Sequence, residues 1–467
     1  MNIQSNNYHY HKILFTFAAA LVGAGLFIVS APPANAASVY YVDCDASTNG
    51  DGSISIPWNT INSAKRSSGS VQPGDTVYIK GTCNYPGGSN FGASFTSVDG
   101  GLPGAVITYA KWPGQSLVID GGTGNSDNAI FLVEGQYLTF DGLHFIAKYP
   151  MLGDLRAINI ANGGNITVKN CFFGFTYFGI SFGDNQINNL VFTNNTFYRN
   201  TAPLYLNQND NVEVSHNTFM YTGEGLKMNP HYVNQTLSNV RVFDNFFYQV
   251  GWGMDNSDSD GSIAPFCNPG IIIDYQCNYC ASGHSYILGV KIYNNIFWGN
   301  CEAGARISRP DVEMNNNTFY RNGYVDTSGK QPDASIGSTG GNGILVYNSP
   351  LGGSVIAKNN IFWHNKGPDI FLRTGATSTT ASNMQGIDPL FVNGDPESID
   401  PYNPNNYKLK PTSPAIGAGI TIPFVADDFF GTSRPQGTGY DIGAYEYPSG
   451  GSGDITPPSA PTGVLVQ

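Results

Sequence analysis

One short phrase recurs through the middle of the chain: Phe192-Thr-Asn-Asn-Thr-Phe197, Val214-Ser-His-Asn-Thr-Phe219, Val242-Phe-Asp-Asn-Phe-Phe247, Ile292-Tyr-Asn-Asn-Ile-Phe297, Met314-Asn-Asn-Asn-Thr-Phe319 and Ala357-Lys-Asn-Asn-Ile-Phe362. The closing Phe residues stand 22 apart where the repeat is undisturbed (Phe197 to Phe219, Phe297 to Phe319), while gaps of 28 and 50 on either side of Phe247 mark insertions. A unit of this length is too short for an α-solenoid repeat, which needs about 33 residues or more, and fits one coil of a parallel β-helix.

Alternation within the repeat supports that choice. Seven residues before each Phe stand Leu138, Ile166, Leu190, Val212, Val240, Val290, Val312 and Val355; five before stand Phe140, Val168, Phe192, Val214, Val242, Ile292, Met314 and Ala357. Between them come Thr139, Thr167, Val191, Glu213, Arg241, Lys291, Glu313 and Ile356, so the period is two and this column faces out. Two before the Phe, where the coil must bend, lie Leu143, Cys171, Asn195, Asn217, Asn245, Asn295, Asn317 and Asn360. Inward Asn side chains at a bend satisfy one another from coil to coil, so this column reads as a structural Asn ladder. A second strand follows each Phe. Its outward column is expected to run Asn159, Ser181, Tyr205, Lys227, Asp255, Arg306, Leu345, Phe371, one residue per coil and about 4.8 Å apart.

An apolar run from Ile13 to Val29 after His11-Lys12, closed by Ala34-Asn-Ala36, reads as a cleaved secretory signal over residues 1–36. The mature chain is therefore expected to be secreted or displayed at the cell surface. No other stretch is apolar over a bilayer's width, so no membrane span is expected. With 22 Lys and Arg against 34 Asp and Glu, and a net charge of −12, a nucleic-acid partner is not expected. A monomer is the expected state. The organisation reads as an N-terminal cap with the first coils over 37–104, a continuous solenoid over 105–375 carrying an insertion at 256–289, a closing segment over 376–447, and a linker with a tail over 448–467.

All seven cysteines lie beyond the signal. Cys171 falls in the Asn column as a buried free thiol, which leaves Cys44, Cys83, Cys267, Cys277, Cys280 and Cys301 for disulfides in an oxidising compartment. Cys44 and Cys83 bracket the N-terminal region. A zinc site from Cys267, Cys277, Cys280 and His284 is the alternative.

Near the N-terminus, Tyr40-Tyr-Val-Asp43, Pro57-Trp-Asn-Thr-Ile61 and Gly74-Asp-Thr-Val-Tyr-Ile79 surround a short capping helix that starts at Asn59 or Thr60 and runs through Arg66. With Gly104-Ala-Val-Ile-Thr-Tyr109 and Val118-Ile-Asp-Gly121, this resembles the entry of right-handed parallel β-helix proteins of the pectate-lyase-like superfamily. The resemblance implies an all-β, right-handed parallel β-helix with an N-terminal capping helix, and a polysaccharide as partner. Asn406-Tyr-Lys-Leu-Lys-Pro-Thr-Ser-Pro-Ala-Ile416, Asp428-Phe-Phe-Gly-Thr-Ser-Arg434 and Asp441-Ile-Gly-Ala-Tyr-Glu446 resemble the closing segment of bacterial surface β-helix proteins with a choice-of-anchor element. Thr456-Pro-Pro-Ser-Ala-Pro-Thr-Gly-Val-Leu-Val466 resembles the first strand of a fibronectin type III domain, so the sequence reads as part of a longer protein.

The outward column places Lys227, Asp255 and Arg306 together. A lyase acting on a uronate polymer needs its carboxylate neutralised and a base for the adjacent carbon proton. Lys227 is the expected base, Arg306 the grip on the carboxylate, and Asp255 a calcium ligand or an orienting group. Tyr205, Trp252 and His231 are the expected sugar contacts. Asn256-Ser-Asp258-Ser-Asp260-Gly261 resembles a calcium loop through Asp258 and Asp260, although its twelfth position is Cys267 where an EF-hand has Glu. Set against this, Glu213, Arg241, Lys291 and Glu313 stack in the same manner on the other face with no function proposed, as mixed charges on a solvated sheet do. A carbohydrate-active enzyme and a non-catalytic glycan-binding adhesion protein therefore stand side by side as expectations.

Overall fold

The computed structural model describes residues 37–85, 91–122, 129–148, 154–230, 232–251, 267–274, 285–324, 340–393 and 402–448. Each coil turns through three parallel strands. The first is the long one, as in Gly164–Lys169, Ile187–Thr193 and Asn209–Ser215; the second spans three residues, as in Phe172–Gly174, Thr196–Tyr198 and Thr218–Met220; the third includes Phe178–Phe182, Ala202–Leu206 and Leu226–Met228. Register follows the repeat: Leu190 faces Val212, which faces Val240, and Phe197 faces Phe219, which faces Phe247. The two apolar columns read from the sequence are buried along their whole length.

The paired Asn residues divide the work at the bend. Asn194, Asn294, Asn316 and Asn359, with His216 and Asp244, adopt left-handed backbone at φ from 53° to 56°, a conformation that Asn and Asp tolerate better than other side chains. The next residue forms the ladder. Nδ2 of Asn195, Asn217, Asn245, Asn295, Asn317 and Asn360 donates to Oδ1 of the following Asn, ending at Asn383, over 2.9–3.1 Å. Each Oδ1 also accepts the backbone N–H of the Asn before it, as Asn245 does from Asn217 at 2.9 Å. Three places after the Phe runs a second ladder that the sequence reading did not anticipate, Asn300 to Asn322 to Asn365. Beside these, Phe145, Phe173, Phe197, Phe219, Phe247, Phe297, Phe319 and Phe362 stack face to face, with centroids 4.7–5.3 Å apart.

Cys171 is the free buried thiol expected. Burial pushes its pKa up to about 12, so it behaves as an apolar filler. Disulfides join Cys44 to Cys83 and Cys267 to Cys301; Cys277, Cys280 and His284 lie outside the described residues. The expected capping helix takes the form of two short 3-10 turns, Ile61–Ala64 and Arg66–Ser68, with Thr60 Oγ1 accepting the Ser63 N–H. Ile61 and Ala64 close the core at that end.

The closing segment lies along the flank of the solenoid. Phe391, Tyr407, Leu409, Ala415, Ile442 and Ala444 cover the outward side chains of the second sheet, Phe246, Tyr248, Ile296, Trp298, Tyr320 and Ile361. Arg434 pins it: the buried guanidinium meets Glu446 Oε2 at 2.8 Å, the carbonyls of Asp441 and Gly443, and Asn294 Oδ1 of the solenoid at 3.3 Å.

One expected strand lies elsewhere. Gly253-Met-Asp255 was expected to supply the third strand after Leu226–Met228, but that strand is Ile271–Ile273, which pairs Lys227 with Ile272 and Ile272 with Arg306. Thus Ile272, and not Asp255, follows Lys227 in the outward column, and the expected insertion at 256–289 is interrupted by a solenoid strand. The reason is local. Three successive β-branched residues favour a strand, and Gly270 fits against the Phe stack where a Cβ would come 2.9 Å from Phe297 Cδ1. Gly304 holds the same place one coil on, 2.3 Å from Phe319 Cδ1 by the same measure.

Candidate functional site

Lys227 and Arg306 emerge on the outer face of the third sheet, two strands apart in one column. Ile272 between them is fully buried, although it too points out of the coil. Carboxylates reach both cations from the corners. Glu224 Oε1 is 2.8 Å from Lys227 Nζ. Glu302 Oε2 is 2.9 Å from Arg306 Nη1, and Asp274 Oδ2 is 3.9 Å from Arg306 Nη2. These five side chains are only 14–23% exposed, so their mutual fields are screened less than those of surface pairs. Burial pushes the Glu302 carboxyl above its ordinary range, while the Arg306 charge pulls the other way.

Tyr205 sits beside Lys227 in register, its ring 5.4 Å from Nζ. Its hydroxyl donates to the Asn229 carbonyl at 3.3 Å, and burial, with the Glu224 charge, raises the phenol far above its usual value. Tyr205 is therefore a neutral donor and a packing surface for the lysine stem. Arg309 is 1% exposed; its guanidinium donates to the Asp274 carbonyl and to the carbonyl and hydroxyl of Ser285, and so ties the strand exit at Asp274 to the chain's return at Ser285. Asn268 Nδ2 donates to the Gly223 carbonyl at 3.0 Å, next to Glu224, and the Cys267–Cys301 disulfide stands next to Glu302.

Of the residues singled out by the sequence, Lys227, Arg306 and Tyr205 share this face. His231, Trp252, Asp255, Asp258 and Asp260 lie outside the described residues. Glu224, Glu302 and Arg309 were not anticipated, because they sit at corners where the period-two pattern stops; Asp274 fell within the insertion read at 256–289. The available signal was an acidic residue one or two places before the strand-opening Gly, as in Glu224-Gly225 and Glu302-Ala-Gly304. Among the described residues, no group of three His, Cys, Asp or Glu side chains is arranged to hold a metal ion, and no helix is long and apolar enough to cross a membrane.

No curated protein matches the sequence. Among solved structures, the fold is similar to that of the pectate lyase Pel9A (TM-score 0.54, 18% identity, 88% of this chain and 97% of that one). It is also similar to an alginate lyase from Paenibacillus sp. str. FPU-7 (TM-score 0.41, 12% identity, 75% and 95%) and a rhamnogalacturonan lyase (TM-score 0.41, 14% identity, 80% and 95%). At these identities the likeness is one of fold. The family described as right handed beta helix region matches residues 122–264 and 267–385, more than half of the chain. With its parallel coils and stacked ladders, this chain belongs to that family of right-handed parallel β-helix proteins.

Proposed function

We propose that this is an exported protein that acts on a uronate-containing polysaccharide as a lyase, with the third-sheet face as its site. The observation that carries the reading is the convergence of Lys227 and Arg306, two strands apart, with three corner carboxylates on a face that is largely shielded from water. On this reading Arg306 meets the uronate carboxylate and stabilises the charge that builds up as the adjacent carbon loses its proton. Lys227, in its neutral form, takes that proton. The C–H electron pair becomes the new carbon–carbon double bond, the carbon–oxygen bond to the neighbouring sugar breaks, and the departing oxygen keeps that bond's electron pair and takes a proton from solvent. In the resting arrangement Nζ donates to Glu224, so that contact must break and the ammonium must pass one proton to solvent before Nζ acts as a base. The two disulfides agree with an oxidising, extracellular setting. The pectate lyase that shares the fold acts, by its name, on a polymer of this chemical class.

A second reading has its own observation: both cations already have carboxylate partners at 2.8–2.9 Å, which suits recognition of a glycan without turnover. Incubating the protein with a panel of uronate polymers and measuring unsaturated product separates the two. Product formation that is lost in Lys227→Ala supports the lyase; saturable binding of a glycan with no product supports adhesion. A chelator arm in the same assay tests calcium at Asp258 and Asp260.

A further inference from the structure

The two carboxylates on Arg306 are not equivalent. Glu302 makes a full hydrogen bond to Nη1 at 2.9 Å, whereas Asp274 stands 3.9 Å from Nη2, near enough for attraction but too far for a hydrogen bond. The main chain of Asp274 is held on both sides. The Asp274 N–H donates to the Met228 carbonyl at 3.0 Å on one side, and the Asp274 carbonyl accepts from Arg309 Nε at 3.0 Å on the other. Its backbone is thereby fixed to the end of Ile271–Ile273, and only a turn of the side chain brings the carboxylate nearer to Arg306 or takes it away. Its charge acts on a second guanidinium as well: among the described residues the buried Arg309 donates to neutral oxygens, and it lies in the field of the same carboxylate. Arg306 thus presents one guanidinium end fully engaged and the other facing a carboxylate it does not hold by a hydrogen bond.

We propose that Asp274 is a specificity-determining place-holder: it keeps a negative charge opposite Arg306 Nη2 until the carboxylate of a uronate enters, forms the hydrogen bond that Asp274 does not form, and turns the Asp274 side chain aside to take over that end of the guanidinium. This rests on the reading of the face as a uronate site. A carboxylate held at hydrogen-bond distance gains more from the guanidinium than one held at 3.9 Å, so the exchange favours an acidic sugar. A neutral sugar brings no charge with which to displace Asp274 and is excluded at no cost to the resting protein.

The test is isothermal titration of trigalacturonate and of a neutral hexose trimer into the parent, Asp274→Asn, Arg306→Ala and the double variant, with Asp274→Ser as a second charge-removing change in case the amide repacks. Without the competing charge, trigalacturonate binds about three- to fivefold more tightly to Asp274→Asn. Arg306→Ala binds it about tenfold more weakly or worse. In the double variant the gain from Asp274→Asn disappears, because it acts through Arg306. Unchanged or weaker binding in both Asp274 variants, or an equal gain without Arg306, overturns the place-holder and leaves the site reading standing. If the parent and every variant fail to bind trigalacturonate while remaining folded, the site reading falls and the place-holder falls with it.

Discussion

Two rows of charge run along this solenoid, and they are built differently. On the first sheet, Glu213, Arg241, Lys291 and Glu313 lie in direct register, each one coil from the next. Arg241 meets Glu213 at 2.8 Å with half of its side chain in water, and Lys291 rests 4.2 Å from the ring of Phe424 in the closing segment. There the column supplies one pair of its own, Arg241 with Glu213. On the third sheet, Lys227 and Arg306 are separated by the buried Ile272, and their partners come from corners, namely Glu224, Glu302 and Asp274. A row that pairs within its own column is explained by the sheet. A row whose partners must be brought in from three separate bends, and then shielded, has used the fold to assemble something.

The largest expected effect tests that difference directly. Lys227→Ala should lower formation of unsaturated sugar ends by about 100-fold or more, the usual scale for removing a general base, with little change in melting temperature. Lys291→Ala should leave turnover unchanged. Equal losses from both would erase the distinction between the rows. The next effect separates framework from site. Asn245→Leu removes the acceptor for both Asn217 donors, and the donor to Asn295 Oδ1 and the Val214 carbonyl, so it should cost about 1 to 3 kcal/mol. Thermal unfolding checks this, and a melting temperature equal to the parent's would mean that the ladder does not stabilise the fold.

What was legible in the sequence was whatever repeats with the coil. The columns from Leu138 to Val355, the Asn ladder and the free Cys171 follow from spacing, since each coil must fill the same positions against its neighbours. The second ladder hid because Thr222 and Val250 interrupt the column before Asn300. The third strand after Leu226–Met228 was misplaced because an insertion removes the spacing, leaving two segments that open on Gly followed by an apolar residue. The run Ile271-Ile-Ile273 was the better strand, and β-branching alone would have favoured it over Gly253-Met-Asp255. Glu224 and Glu302 carried a local signal, three and four residues before the cations they meet, that a search for period two passes over; the approach of Asp274 to Arg306, 32 residues apart, is a property of three dimensions. The outward Tyr248, Trp298 and Tyr320 did carry a readable signal, since aromatic side chains on an outer face ask for a cover, and the closing segment provides it.

Beneath the closing segment lies a third arrangement of charge, which sharpens the contrast. Asp244 Oδ2 is 3.4 Å from His216 Nε2; burial raises the Asp244 carboxyl well above its usual range, and burial lowers the His216 imidazole although the Glu213 charge pulls it the other way. Asp428, Asp427 and Arg434 of the closing segment and Asn294 of the next coil surround Asp244. A carboxyl raised on folding contributes stability that is full below its unfolded pKa and is lost as pH rises through the folded value. The parent should therefore lose stability above the ordinary carboxylate range, by at most about 1.4 kcal/mol per pH unit for this one proton. Asp244→Asn should remove that part of the slope. Urea unfolding across pH 5 to 8 measures it, and identical slopes in parent and variant would show that Asp244 is ionised on the seam.

The smallest expected effect is the one on which the comparison turns. Glu213→Ala breaks the 2.8 Å pair with Arg241 and a 3.2 Å contact from Ser215, but Arg241 is half exposed and recovers water at once. Exposed pairs of this kind contribute about 0 to 1 kcal/mol, and the loss here should lie near 0.5 kcal/mol or below. It should shrink further in high salt, since the Debye length falls to about 3 Å at 1 M. Glu302→Gln on the other face is the partner experiment: it leaves the Arg306 guanidinium with only the more distant Asp274 carboxylate in a setting with little water, and both stability and binding should respond, with weaker salt dependence because the pair is shielded. If Glu213→Ala costs as much as Glu302→Gln and is equally insensitive to salt, then burial does not distinguish the two rows, and the third-sheet cluster becomes one more charge ladder on a β face.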